Sequence, residues 1–216
     1  MTWPANQFGS QLTRRRAVIG AFALLLAPLW RPAMAFARGA VKGNHMNESD
    51  QEFGKRNPHA PLELSRFAFL IGNWQCEAKI RSASGEWQSF AAEWHGCFIL
   101  DGYAIADEYR MTGASGELIV LGMNFRTYDA ARRIWNIKWL NALAGSWMDL
   151  ASEELGAVKF DGPSVIYSFK ETVGRLAYTQ VTYTSHSATH FTWRAQKSDD
   201  RKTWADFMTV EAHRKK

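Results

Sequence analysis

From Trp74 to the C-terminus the chain alternates apolar and polar side chains in short runs, each closed by a cluster of turn residues. A period of two sends successive side chains to opposite faces of an extended strand. Trp74, Cys76, Ala78 and Ile80 alternate with Gln75, Glu77, Lys79 and Arg81. The pattern recurs with Phe90, Ala92 and Trp94 against Glu93 and His95. It recurs again with Ile119, Leu121, Met123 and Phe125 against Gly122, Asn124 and Arg126, and then with Trp135, Ile137 and Trp139 sharing one face. Ser82-Ala83-Ser84-Gly85, Asp101-Gly102, Asp129-Ala130-Ala131-Arg132 and Asp161-Gly162-Pro163 punctuate the runs. No strand–helix–strand rhythm occurs, which argues against a parallel sheet. The expected fold is all-β: an up-and-down antiparallel barrel of about ten strands over residues 61–216. Rolling the sheet up is the simplest way to leave no strand edge exposed.

The stretch Phe67-Ala68-Phe69-Leu70-Ile71-Gly72-Asn73-Trp74 leads into the first strand. Phe67, Leu70 and Ile71 fall at i, i+3 and i+4, one stripe of a helix. Pro61 suits a first helical turn, where its missing N–H has no partner. This predicts a short N-terminal helix plugging one end of the barrel; the alternative is an amphipathic helix on a sheet edge. Aromatic residues make up 13% of the chain and ten are Trp, as an interior built from large side chains requires. Phe90, Trp94, Tyr109, Met123, Trp135, Trp139, Tyr167 and Trp193 are the expected interior lining. Asp107 joins them conditionally. Its run alternates Tyr103, Ile105, Asp107 and Tyr109 against Ala104, Ala106, Glu108 and Arg110. If the tyrosines face inward, a carboxylate sits in an aromatic interior, where it must be paired or protonated. If the alanines face inward, Asp107 is wet.

The formal net charge of +5 misleads. Residues 1–35 hold Arg14, Arg15, Arg16 and Arg31 and no acid, which leaves 22 basic against 21 acidic residues beyond them. No basic stripe with interleaved aromatics follows, so nucleic acid is not an expected partner. Arg14-Arg15-Arg16 precedes the apolar run Ala21–Leu29, and Ala33-Met34-Ala35 is a small-x-small cleavage site. Residues 1–35 therefore read as a signal peptide, too short in apolar length to span a bilayer comfortably. The paired arginines match the twin-arginine type. A general secretory signal and an uncleaved membrane anchor are the alternatives. The expected location is exported and periplasmic. Residues 36–60 are polar and aperiodic and read as a flexible linker, with His45 and His59 solvated.

Several segments together resemble a known family. Phe69-Leu70-Ile71-Gly72-Asn73-Trp74 resembles the Gly-x-Trp opening of lipocalin-like (calycin) barrels. It resembles more closely an uncharacterised bacterial secreted family opening with F-L-x-G-x-W. Gly96-Cys97-Phe98-Ile99-Leu100 stands where that family has Gly-x-Phe-Leu. Phe125-Arg126-Thr127-Tyr128-Asp129 matches its Tyr-Asp turn, and Ser198-Asp199-Asp200-Arg201-Lys202-Thr203-Trp204 matches its late Ser-x-Asp-x-x-x-Thr-Trp, without the usual glycine. The resemblance covers about residues 61–216. It implies a barrel of roughly ten strands and no particular activity. Calycins pair the opening Trp with an Arg on the last strand; here that pair would be Trp74 and Arg214, assigned to barrel closure. In the related nitrobindins a histidine near the C-terminus holds haem, and His213 stands in that region. The parity that turns Arg214 inward turns His213 outward, so no cofactor is expected.

The remaining chemistry is sparse. Cys76 lies opposite residue 92 or 93 if the first hairpin turns near Ser84. Cys97 is then about four residues further on, beyond the ~7 Å Cα separation a disulfide tolerates. No metal-ligand spacing, nucleophile elbow or phosphate loop occurs. The expected function is an exported barrel holding a small apolar or amphipathic molecule in its aromatic interior. The alternatives are a haem or cofactor carrier, a filled barrel acting on a partner, and an enzyme.

Overall fold

Eleven strands follow one another in a single antiparallel sheet: β1 (Gly72–Arg81), β2 (Trp87–Ile99), β3 (Ala104–Thr112), β4 (Leu118–Asp129), β5 (Ile134–Asn141), β6 (Ser146–Ala151), β7 (Lys159–Asp161), β8 (Ser164–Glu171), β9 (Ala177–Ser187), β10 (His190–Ser198) and β11 (Ala205–Arg214). The computed structural model describes residues 52–152, 157–171 and 177–216. The expected signal peptide and the linker as far as residue 51 lie outside the described residues. Neighbours in sequence are neighbours in the sheet, except β6 and β7, and β1 pairs with β11. The first and last strands are thus stitched together in mid-sheet. Among the described residues, β6 and β7 are the sheet edges, and β6 packs against β8 without a ladder. The fold is an all-β barrel with one unladdered seam. No described helix is long and apolar enough to cross a membrane.

The inward face follows the sequence alternation on most strands. Trp74, Cys76 and Ala78 of β1, Ala92 and Trp94 of β2, and Phe191 and Ala195 of β10 are all buried. On β3 Ala104 to Asp107 are all buried, but beyond them only Tyr109 and Met111 are, and the large buried side chains Ile105, Asp107, Tyr109 and Met111 show that the tyrosine parity faces inward. Tyr103 precedes the strand and is exposed.

On β4 the expected parity is reversed. The buried residues are Gly122, Asn124 and Arg126, while Leu121, Met123 and Phe125 lie on the outer face. The cause is a bulge: Met111 pairs with Val120 but Thr112 pairs with Leu118, leaving Ile119 as an extra residue. One inserted residue moves everything beyond it to the other face. Met123 therefore leaves the interior lining, and Arg126 enters it.

The plug is a 3-10 helix, Leu62–Leu70, with Pro61 as its N-cap. Its buried residues are Leu64, Phe67 and Leu70, spaced by three. That spacing suits three residues per turn, where i and i+3 eclipse, so Ile71 falls outside the stripe. Ile71 is already extended, as the C-cap. The helix seats on two glycines. A Cβ at Gly96 would run into the Leu70 carbonyl oxygen, and one at Gly72 would run into the Arg214 guanidinium. Trp74 closes the same end: its indole N–H donates to Leu70 O at 3.0 Å. Arg214, its cross-strand partner, places Cζ 4.2 Å from the Trp74 ring centroid. Arg214 also donates to Ile71 O and Ala188 O at 2.9 Å each.

The described part of the expected linker is not loose. Phe98 N donates to Phe53 O at 2.8 Å, and Asn57 N donates to Gly102 O at 3.1 Å. Ala60 is buried in the core cluster. Polar composition is silent about such backbone docking onto the β2–β3 turn. Exposed His59 matches the expectation.

Candidate functional site

Asp107 and Arg126 are both fully buried and form an ion pair across neighbouring strands β3 and β4. The carboxylate collects further donors: the Trp94 indole N–H at 2.9 Å and the Asn124 amide at 2.8 Å, both to Oδ1. Arg126 Nη2 donates to the Tyr183 hydroxyl at 2.9 Å, which lies 3.3 Å from the Tyr167 hydroxyl. Arg126 also stands over the Phe67 ring at 5.0 Å and the Tyr183 ring at 5.6 Å. A buried charge must find a partner or lose its charge. Here one arginine neutralises the acid and ties β3 and β4 to β9 and the plug.

The expected lining divides into several places. Trp94, Tyr109, Asp107 and Tyr167 belong to this network or touch it; Trp94 stacks obliquely on Tyr109 at 5.0 Å and meets Tyr183 edge-on at 5.9 Å. Trp135 packs edge-on against Phe67 at 4.8 Å. Phe90, Trp139 and Trp193 are half-buried against the core. Sequence reasoning missed Arg126, Asn124 and Tyr183. A polar stripe on an interior strand was visible at Asn124 and Arg126, but the bulge hid its direction.

Four weak acids are buried beside this core. Burial pushes the Cys76 thiol up to about 12, with Glu93 adding to the shift. Burial likewise raises the Tyr109, Tyr167 and Tyr183 hydroxyls above 10.0. Each raised group binds its proton more tightly folded than unfolded, so its stabilisation is complete below the unfolded value and drains as pH climbs through the folded one. The thiol loses its share between its ordinary value of 9.0 and about 12. The expected outcome is a urea midpoint that falls steadily above pH ~9, faster than in a variant carrying Cys76→Ser and Tyr109→Phe. Cys76 lies opposite Ala92, and both cysteines are free thiols.

Two cavities among the described residues lie outside this core. One, of about 590 Å³, is a trough on the outer face lined by Glu77, Lys79, Arg194, Glu211, several threonines, Trp193 and Val210. The other, of about 410 Å³, opens at the plugged end. Leu62, Glu63 and Arg66 of the plug helix form one wall. Tyr128, Arg133 and Trp135 of the β4–β5 turn form another, and Val158 and Phe160 close the third. Arg66 lies over the Phe160 ring at 4.4 Å. Arg133 adopts a left-handed backbone, φ 61°, at the tip of a turn held by Asp129. The floor connects to the buried ion pair through Phe67, which touches both Trp135 and Arg126. An apolar pocket with a few convergent charges is the usual form of a small-molecule site.

No family model matches the chain, and no curated protein matches it. Among solved structures, Rv2717c from M. tuberculosis is similar at 10% identity and a TM-score of 0.52, over 73% of this chain and 99% of that one. That likeness shows the fold. Weaker likenesses are the S-type phycobiliprotein lyase CPES from Guillardia theta and a redesigned β-barrel, mFAP1, bound to DFHBI. The lyase has a TM-score of 0.45 at 10% identity, over 70% of this chain and 92% of that one. The redesigned barrel has a TM-score of 0.36 at 17% identity, over 68% and 96%.

Proposed function

We propose that this barrel binds a small amphipathic anion in the pocket at its plugged end. The observation that carries the reading is the pairing of an aromatic floor with two arginines, Arg66 and Arg133, against the single carboxylate of Glu63, around a cavity of about 410 Å³. Trp135, Tyr128 and Phe160 suit a ring or short chain, and the guanidinium groups suit a carboxylate or sulfonate. Arg133 sits in a left-handed conformation that glycine would adopt without cost, which favours a role for its side chain.

The test uses 8-anilinonaphthalene-1-sulfonate as probe, followed by its fluorescence. The expected result is saturable one-to-one binding. Arg66→Ala and Arg133→Gly each weaken it roughly tenfold, about 1.4 kcal/mol. Arg133→Gly relaxes the turn, so stability holds or rises while binding falls. Binding that ignores both substitutions would remove the pocket from the reading. Native mass spectrometry of protein taken from the producing cell then asks what the natural ligand weighs.

The remaining expectations belong to the same reading. The arginine-led leader supports export to the periplasm through the twin-arginine route. The F-L-x-G-x-W opening supports an outlying place among the secreted lipocalin-like barrels. A filled barrel acting on a partner is the second reading, favoured by an interior occupied by its own rings and ion pair.

A further inference from the structure

On the outer face of the sheet, away from the interior and one strand position from Arg214, three imidazoles stand in a row. His190 of β10 and His213 of β11 are directly paired across the two strands. Their rings stack at 4.7 Å with 11° between planes. His186, at the end of β9, stacks on the other side of His190 at 4.6 Å. Glu211 precedes His213 by two residues and so shares its face; its Oε1 meets His190 Nε2. One ligand atom each from His190, Glu211 and His213 lie within 4.8 Å of one another.

We propose that His190, His213 and Glu211 form a surface site for a divalent transition-metal ion of the zinc class. The donor set decides the class. Two imidazoles and one carboxylate suit Zn²⁺, Co²⁺, Ni²⁺ and Cu²⁺, whereas Mg²⁺ and Ca²⁺ take oxygen donors. The geometry needs little change. Ligand atoms around a tetrahedral Zn²⁺ stand about 3.3 Å apart, which follows from Zn–N distances of ~2.0–2.1 Å. Rotations of three side chains fixed to two adjacent strands supply the difference. Three protein ligands leave one position open to water, the arrangement of a reactive rather than a sealed zinc site. The trough of about 590 Å³ begins at the same carboxylate, since Glu211 lines it, and Thr192, the partner of His186, lines it too. A polar molecule lying along the trough would present one end to the ion.

The motif is short in sequence: His186-x-x-x-His190 across one turn and Glu211-x-His213 on one strand face. Neither spacing announces a metal site by itself. The antiparallel register of β10 on β11 brings them together.

The experiment is a calorimetric titration of Zn²⁺ into the untagged protein, with Mg²⁺ as the contrasting ion and Co²⁺ absorption as the spectroscopic readout. The expected result is one Zn²⁺ per chain, no Mg²⁺ heat, and visible Co²⁺ bands. His190→Ala and His213→Ala each weaken Zn²⁺ at least about tenfold, and Glu211→Gln weakens it less. His59→Ala and Cys97→Ser leave it unchanged. His59, Glu211 and His213 are exposed and His190 and Cys97 are half-buried, so circular dichroism is expected to stay constant. Absence of saturable Zn²⁺ binding up to about 1 mM, or binding that survives His190→Ala and His213→Ala, overturns the proposal. Neither outcome bears on the anion pocket, which shares no residue with this site.

Discussion

Replacing Arg126 by leucine is expected to lower the unfolding free energy by about 3–5 kcal/mol, the usual cost of stranding one member of a buried ion pair. Asp107 would keep its two neutral donors, Trp94 and Asn124, but lose the cation that compensates its charge. Tyr183 would lose its donor as well. Guanidinium unfolding followed by tryptophan fluorescence measures the loss directly. The double substitution Asp107→Asn with Arg126→Leu is expected to recover a large part of it, because no buried charge is then left alone. Recovery stays incomplete, since Tyr183 still lacks its former donor. A single-variant loss below about 1 kcal/mol would show that the pair is solvated in solution.

Phe67→Ala is the second large effect, an expected loss of about 3–5 kcal/mol. Phe67 is fully buried and touches more of the aromatic interior than any other plug residue. Its ring meets Trp135, Phe160 and Tyr183 edge-on, and Arg126 stands over it. Truncation removes the transfer free energy of the ring and leaves a void between the ion pair and the pocket floor. At this size the melting temperature is expected to fall by about 10 °C, at 2–4 °C per kcal/mol. A second readout separates packing from folding. The void joins the pocket, so a bulkier probe than anilinonaphthalene sulfonate is expected to bind the variant better than the parent. A variant as stable as the parent would mean that the plug helix is not seated in the barrel.

The alternation of Trp74–Arg81, Phe90–Trp94 and Trp135–Trp139 was enough to read strands, faces and an all-β barrel, because a pleated strand has one side-chain period and a buried face tolerates few charges. The pairing of Trp74 with Arg214 was implied by the resemblance to calycin barrels, and the parity of the last strand allowed it. Length and polarity also marked the turns. Period alone could not show that Ile119 is a bulged residue, because a bulge is defined by how two strands pair and is not written in one strand's pattern. That one residue decided whether Arg126 faced water or Asp107, and so whether a lone carboxylate or an ion pair lies in the core. Nor could local pattern show that residues 52–60 dock on the β2–β3 turn, that Phe67 bridges pocket and ion pair, or that His190 and His213 stand side by side. Local periodicity determined which residues are strand and which way most of them face. Register between strands far apart in sequence decided which side chains meet, because those contacts exist only once the sheet has curled and brought β1 against β11.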